Sequence, residues 1–100
     1  MKIFWSRLAE KTYYDNLEYL DENWPLSVVH DFILEVEKTM IKLKQNPQMF
    51  TWWDRSRRIK VGNINKHISF FYSFTNEEIQ LHFFWNNHQD PEKIRKYLRE

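Results

Sequence analysis

Cysteine is absent from this 100-residue chain, which removes disulfides, thiolate metal sites and cysteine nucleophiles together. No apolar run approaches the ~20 residues of a membrane-spanning helix. The first residues also lack the apolar core of a signal peptide, so the chain reads as cytoplasmic. With one glycine and three prolines it has no low-complexity segment, and it contains no repeat. No spacing of His with carboxylates matches a zinc motif; neither a metal nor any other cofactor is expected.

Aromatic residues are abundant instead: five Trp, five Tyr and eight Phe make up 18% of the chain. Each such ring can bury roughly 150–250 Å², so a dense core needs few positions. Residues 1–100 are expected to form a single domain with one hydrophobic core rather than two. The net charge of +1 hides an asymmetry, because residues 1–50 carry six Lys/Arg against eight Asp/Glu and residues 51–100 carry nine against six. Arg55, Arg57, Arg58 and Lys60 fall within six residues, a local basic cluster that suits an anionic surface or partner.

Periodicity orders the rest. Lys2–Trp5 is a short β-prone run, and Ser6 is placed to cap a helix. Ala9, Tyr13, Leu17, Leu20 and Trp24 recur at three- and four-residue spacing, with acidic residues between them, predicting an amphipathic helix over Arg7–Asn23. Pro25 suits the first turn of a second helix, whose stripe is Val29, Phe32, Ile33, Val36, Met40 and Leu43. Asn46-Pro47 stops it. So short a connection makes the two helices an antiparallel hairpin.

After a linker over residues 48–56 the period changes to two. Arg57–Ile64, Ile68–Phe74 and Ile79–Trp85 read as strands of an antiparallel meander joined by short turns. Ile68, Phe70, Tyr72 and Phe74, with Ile79, Leu81, Phe83 and Trp85, are expected to cover the helical hairpin. The other face is then expected to expose Arg58, Lys60, Ser69, Phe71, Ser73, Gln80, His82 and Phe84. Trp52-Trp53 in the linker reads as a cap on the core or, if exposed, as an interaction hot spot. Asn86, Asn87 and Gln89 are placed to satisfy backbone groups where the last strand ends, and Asp90-Pro91 opens a short final helix.

The order β-α-α-β-β-β with a short terminal helix resembles the RelE/ParE superfamily of bacterial toxins from type II toxin–antitoxin systems. Three local matches carry the resemblance. Trp5-Ser6 followed by Ala9, Leu17, Tyr19 and Leu20 resembles the family's opening pattern. Leu43-Lys44-Gln45-Asn46-Pro47 resembles the close of its second helix. Phe84-Trp85-Asn86-Asn87-His88-Gln89-Asp90-Pro91 resembles the last strand and exit of ParE-like, plasmid-stabilisation members. The implied fold is α+β: a helical hairpin packed on a small antiparallel sheet, with a short C-terminal helix.

That resemblance implies a growth-inhibiting toxin neutralised by a cognate antitoxin, which would contact DNA only indirectly, through that antitoxin, and no membrane. ParE-like members bind DNA gyrase. RelE-like members instead cleave messenger RNA on the ribosome, and Arg58, Lys60 and His88 are the residues that would match such a catalytic set. Ser69 stands where that branch carries an Arg, which favours the ParE-like reading. The partner-binding candidates are Arg55, Arg57, Arg58, Lys60, Phe71, His82 and Phe84. A binding domain of the same fold without toxicity is the third reading.

Overall fold

Ser6 does two jobs at the first strand-to-helix junction. In the computed structural model, which describes residues 1–99, its Oγ accepts the Ala9 N–H at 2.9 Å and so caps helix α1 (Arg7–Asn23). The same hydroxyl donates to the His82 carbonyl at 2.6 Å, pinning the helix start to the last strand. Strand β1 (Lys2–Trp5) precedes it. Pro25 separates α1 from α2 (Leu26–Gln45), which ends where the Asn46 N–H bonds the Lys42 carbonyl ahead of Pro47. Both helices fall where the apolar period predicted them.

Four more strands follow: β2 (Thr51–Asp54), β3 (Ile59–Asn63), β4 (Ile68–Phe74) and β5 (Glu78–Asn86), then helix α3 (Glu92–Leu98). They join β1 in one sheet of order β1-β5-β4-β3-β2. β2 lies inside the expected linker: its Trp52-Trp53 core has no period-two alternation, and at four residues it is too short to announce itself. The sheet is mixed rather than antiparallel, because β1 runs parallel to β5, pairing Ile3 with Ile79 and Trp5 with Leu81. The N-terminal strand thereby closes one edge of the meander.

The main departure from the expected pattern is a bulge in β5. Phe71 pairs with Phe83, but the next residue, Tyr72, pairs with Leu81, so His82 is the extra residue. The face alternation of β5 reverses there. Ile79 and Leu81 face the helical hairpin as expected, and so does Phe84, packed with Phe32, Phe70 and Tyr72. Phe83 and Trp85 turn to the opposite side, where they join Ile59, Phe71 and Ile94 in a second cluster under α3. Tyr97 closes it, with its ring 5.2 Å from Phe83 and 5.7 Å from Trp85, both edge-on.

The sheet is thus buried on both faces, and the expectation of a single core with one open face is corrected. Phe71 and Phe84, at 2% and 1% exposure, are core side chains and offer no contact surface.

The lone glycine is required by close packing. A Cβ on Gly62 would stand 2.6 Å from Phe70 Cζ and 2.8 Å from Phe50 Cγ, inside van der Waals contact. Gly62 lets two rings cross directly over the β3 backbone.

Candidate functional site: an apolar groove and a basic cavity

Two concave regions flank the molecule. The first is a groove of about 730 Å³ between β1 and the helical hairpin, lined by Ile3, Trp5, Tyr13, Tyr14, Met40 and Ile41 among others. Trp5 and Tyr13 form its floor, edge to face at 5.5 Å, and Tyr13 rests in turn on Phe32. Burial, then the neighbouring Tyr14 and Glu37, push the Tyr13 phenol above its ordinary pKa. Tyr14 and Ile41 remain 66% and 58% exposed. β1 pairs only with β5, so its outer backbone edge is open beside this groove. Apolar walls and an unpaired strand edge are what a helix or an added strand from another chain requires.

The second region is a cavity of about 450 Å³ on the α3 side of the sheet, lined by Arg7, Arg57, Ser73, His82 and Tyr97 with apolar neighbours. His82 faces this side as the strand alternation predicts, and the β5 bulge brings Phe83 to the same side beside it. There His82 Nε2 lies 2.8 Å from Ser73 Oγ. Burial, and then the positive charge of Arg57, hold the His82 pKa below its usual value. Arg57 is itself fixed, one Nη2–H donating to the Leu98 carbonyl at 2.9 Å.

The sequence-predicted residues are distributed between these regions and elsewhere. Arg55 and Arg57 lie in the β2–β3 hairpin turn. Arg58 lies in the same turn, at φ 58°, not on the strand face expected for it. That turn is held by Asp54, whose Oδ1 accepts the Ser56 hydroxyl at 2.8 Å and the Arg57 N–H at 3.3 Å. The Ser56 hydroxyl foremost, with the Arg57 N–H, lowers the Asp54 pKa against an opposing desolvation.

Lys60 is 4% exposed rather than on an open face. Its Nζ donates to the Phe50 carbonyl at 2.7 Å and sits 4.1 Å from the centre of the Trp52 ring. Burial, with the charge of Arg55, lowers its pKa. Trp53 packs edge-on to Phe71 at 5.6 Å, so the tryptophan pair caps the sheet edge while staying about one-third exposed (36% and 37%).

His88 lies at the far end of β5, its Nε2 2.9 Å from His67 Nδ1. Lys60 and His88 thus bond to different groups, and Arg58 borders a depression with Trp52, Arg55 and Phe74 whose lining includes neither of them. Ser69 is buried, within hydrogen-bond distance of the Asn63 and Asn87 amides, at 2.8 and 2.9 Å. Asn86 Oδ1 accepts the His88 N–H at 2.9 Å, and the Asn87 N–H bonds the His67 carbonyl at 2.7 Å. The Asn86 side chain thus serves the backbone, the Asn87 side chain is shared between the Ser69 hydroxyl and the Lys66 carbonyl (Nδ2 to O 3.4 Å), and Gln89 bonds the Asn86 carbonyl through its main-chain N–H.

Sequence reasoning put Ser73 and His82 on one face but missed Arg7 and Tyr97 beside them, since only the packing of α1 and α3 against the sheet brings these together. Among the described residues, no group of three or more His, Asp or Glu side chains is arranged to hold a metal ion. No helix among them is long and apolar enough to cross a membrane.

Comparison with curated proteins finds none that matches. A family model, described as the ParE toxin of the type II toxin–antitoxin system parDE, matches residues 3–91, from the first strand through the exit of the last. That span includes the groove, the hairpin and the bulge, and the family implies a cognate antitoxin as partner. The chain belongs to the ParE toxin family of type II toxin–antitoxin systems.

Proposed function

We propose that the chain inhibits growth by binding a cellular protein, DNA gyrase, and that its antitoxin neutralises it by occupying the groove between β1 and the helical hairpin. The observation that carries the target is the dispersal of Arg58, Lys60 and His88. Phosphodiester cleavage needs a base, an acid and charge stabilisation converging within hydrogen-bond reach of one phosphate. Here one candidate is tied to the Phe50 carbonyl just ahead of β2, one to a second histidine and one lies in a hairpin turn. A binding mode of action needs no such convergence.

The groove supports the neutralisation half of the reading. It joins exposed aromatic and aliphatic side chains to an unpaired strand edge. It also carries Glu10, Glu37 and Lys44 at its margins, which would set the register of a segment with matching charges.

The test is gyrase supercoiling with purified protein, with and without the antitoxin. Inhibition relieved by antitoxin is the expected result. Unimpeded supercoiling at large excess of the protein rules out this target, and cleavage of translated messages in its place would restore the nuclease reading.

A further inference from the structure

The basic cavity on the α3 side plays no part in that reading. Its lining combines two guanidinium side chains, Arg7 and Arg57, with the Ser73 hydroxyl, the His82 imidazole and Tyr97, and no carboxylate lines it among the described residues. We propose that this cavity is a binding site for a tetrahedral oxyanion, a phosphate group either free or as a monoester, held between Arg7 and Arg57 and against the Ser73–His82 pair.

Four observations converge on it. First, Arg57 is pre-oriented: the Leu98 carbonyl engages one of its five N–H donors, leaving the rest for a ligand at little further entropic cost. Second, Arg7 comes from α1 and Arg57 from the hairpin turn, so the two cations reach the cavity from different elements. The N-terminal turn of α1, with Ser6 and Leu8, borders the cavity and reinforces the positive field. Third, Ser73 and His82 offer neutral hydrogen-bonding groups 2.8 Å apart on the cavity wall, suited to the remaining oxygens of a tetrahedral anion. Fourth, a volume of about 450 Å³ admits a phosphate with a small substituent but not a folded partner.

Linkage gives the site a signature. The groups facing His82 are Arg57 from the hairpin, Ser73 from β4, Arg7 from α1 and Tyr97 from α3. Arg57 opposes protonation of the imidazole. An anion seated between them cancels that repulsion and favours imidazolium, so it must raise the His82 titration midpoint. By reciprocity the anion must bind more tightly as pH falls through that midpoint.

The experiment follows His82 by proton NMR while pH is varied, in sodium chloride and in sodium sulfate of matched ionic strength. Sulfate is tetrahedral and does not itself titrate near neutrality. Inorganic phosphate and adenosine monophosphate form two further arms, which separate a free from an esterified source. Sulfate and phosphate are expected to raise the midpoint. In Arg57→Gln or Arg7→Gln the anion-induced rise should vanish or need roughly tenfold more anion, as for the loss of one charge-assisted bond.

Because Arg57→Gln also loses the Leu98 contact, Arg7→Gln tests the site without touching that contact, and Arg57→Lys should restore part of the effect. Three results would overturn the proposal: no anion-induced rise, an equal rise with sodium acetate, or a rise that survives both glutamine variants.

Discussion

Thr12 Oγ1 accepts the Phe84 N–H at 2.9 Å across 72 positions of sequence, and donates its own proton to the Leu8 carbonyl at 2.7 Å. β1 ends at Trp5, opposite Leu81, so β5 beyond that point has no neighbouring strand on this side. The first turns of α1 complete the edge. The Ser6 N–H bonds the Leu81 carbonyl at 3.1 Å, the Ser6 hydroxyl takes the His82 carbonyl, and Thr12 takes the next inward N–H. Two hydroxyls replace a strand, and the bulge lies between them.

Thr12→Val should therefore destabilise the protein by about 1–3 kcal/mol, because it keeps the shape and leaves a buried N–H without an acceptor. Thr12→Ser, which keeps the oxygen, should cost clearly less. Urea denaturation of the two variants against the parent checks the ordering. Equal losses would mean that the methyl group matters more than the bond.

Gly62→Ala brings a methyl group to within 2.6 Å of the Phe70 ring, which is fully buried. The ring cannot swing into solvent, and Phe50 blocks the alternative at 2.8 Å. Overpacking of this kind should lower stability by roughly 1–3 kcal/mol. Thermal unfolding checks it, and a neutral result would show that the two rings can part without cost.

The helices and the end of the chain are legible in the sequence because their signals are local. Ser6, Pro25 and Asn46-Pro47 punctuate two stripes at helical spacing, and each boundary depends on residues within a turn of it. The bulge is not local. Of the two hydroxyls that flank it in the fold, the sequence marks only Ser6, as an N-cap, and nothing marks Thr12 as the acceptor of the Phe84 N–H. One uncounted residue moves Phe83, Phe84 and Trp85 to the opposite faces, and with them the reading of which aromatics are exposed. The burial of Lys60 is hidden in the sequence for a related reason. A lysine on an alternating strand looks solvent-facing unless a neighbouring carbonyl awaits it, and the strand leading from Phe50 gave no periodic signal.

His82 should impose a pH dependence on stability. Its pKa is lowered in the folded state by burial and by Arg57, so the unfolded chain binds the proton more readily. The contribution is complete above the unfolded value of about 6.5 and is lost progressively as pH falls below it towards the folded value. His82→Gln should flatten the slope of unfolding free energy against pH just below neutrality. Denaturation in chloride buffers free of phosphate, comparing the variant with the parent at several pH values, measures the difference. Parallel slopes would place no such linkage at His82.

The groove yields the sharpest separation between folding and function. Tyr14 and Ile41 are 66% and 58% exposed, so charged replacements there meet water in the free protein. Tyr14→Glu and Ile41→Asp should each change folding stability by no more than about 0.5 kcal/mol, the usual range for exposed substitutions. In a complex with the antitoxin the same carboxylates would be buried among Trp5, Tyr13 and Met40. An unpaired charge in that setting costs several kcal/mol, enough to weaken binding by roughly a hundredfold or more. Toxicity in cells co-expressing the antitoxin should then return, while toxicity without it stays unchanged. Titration calorimetry with purified antitoxin gives the affinities directly. Unaltered affinity in both variants would move the neutralising contact away from this groove, to the sheet edge of β2 or to the basic side of the molecule.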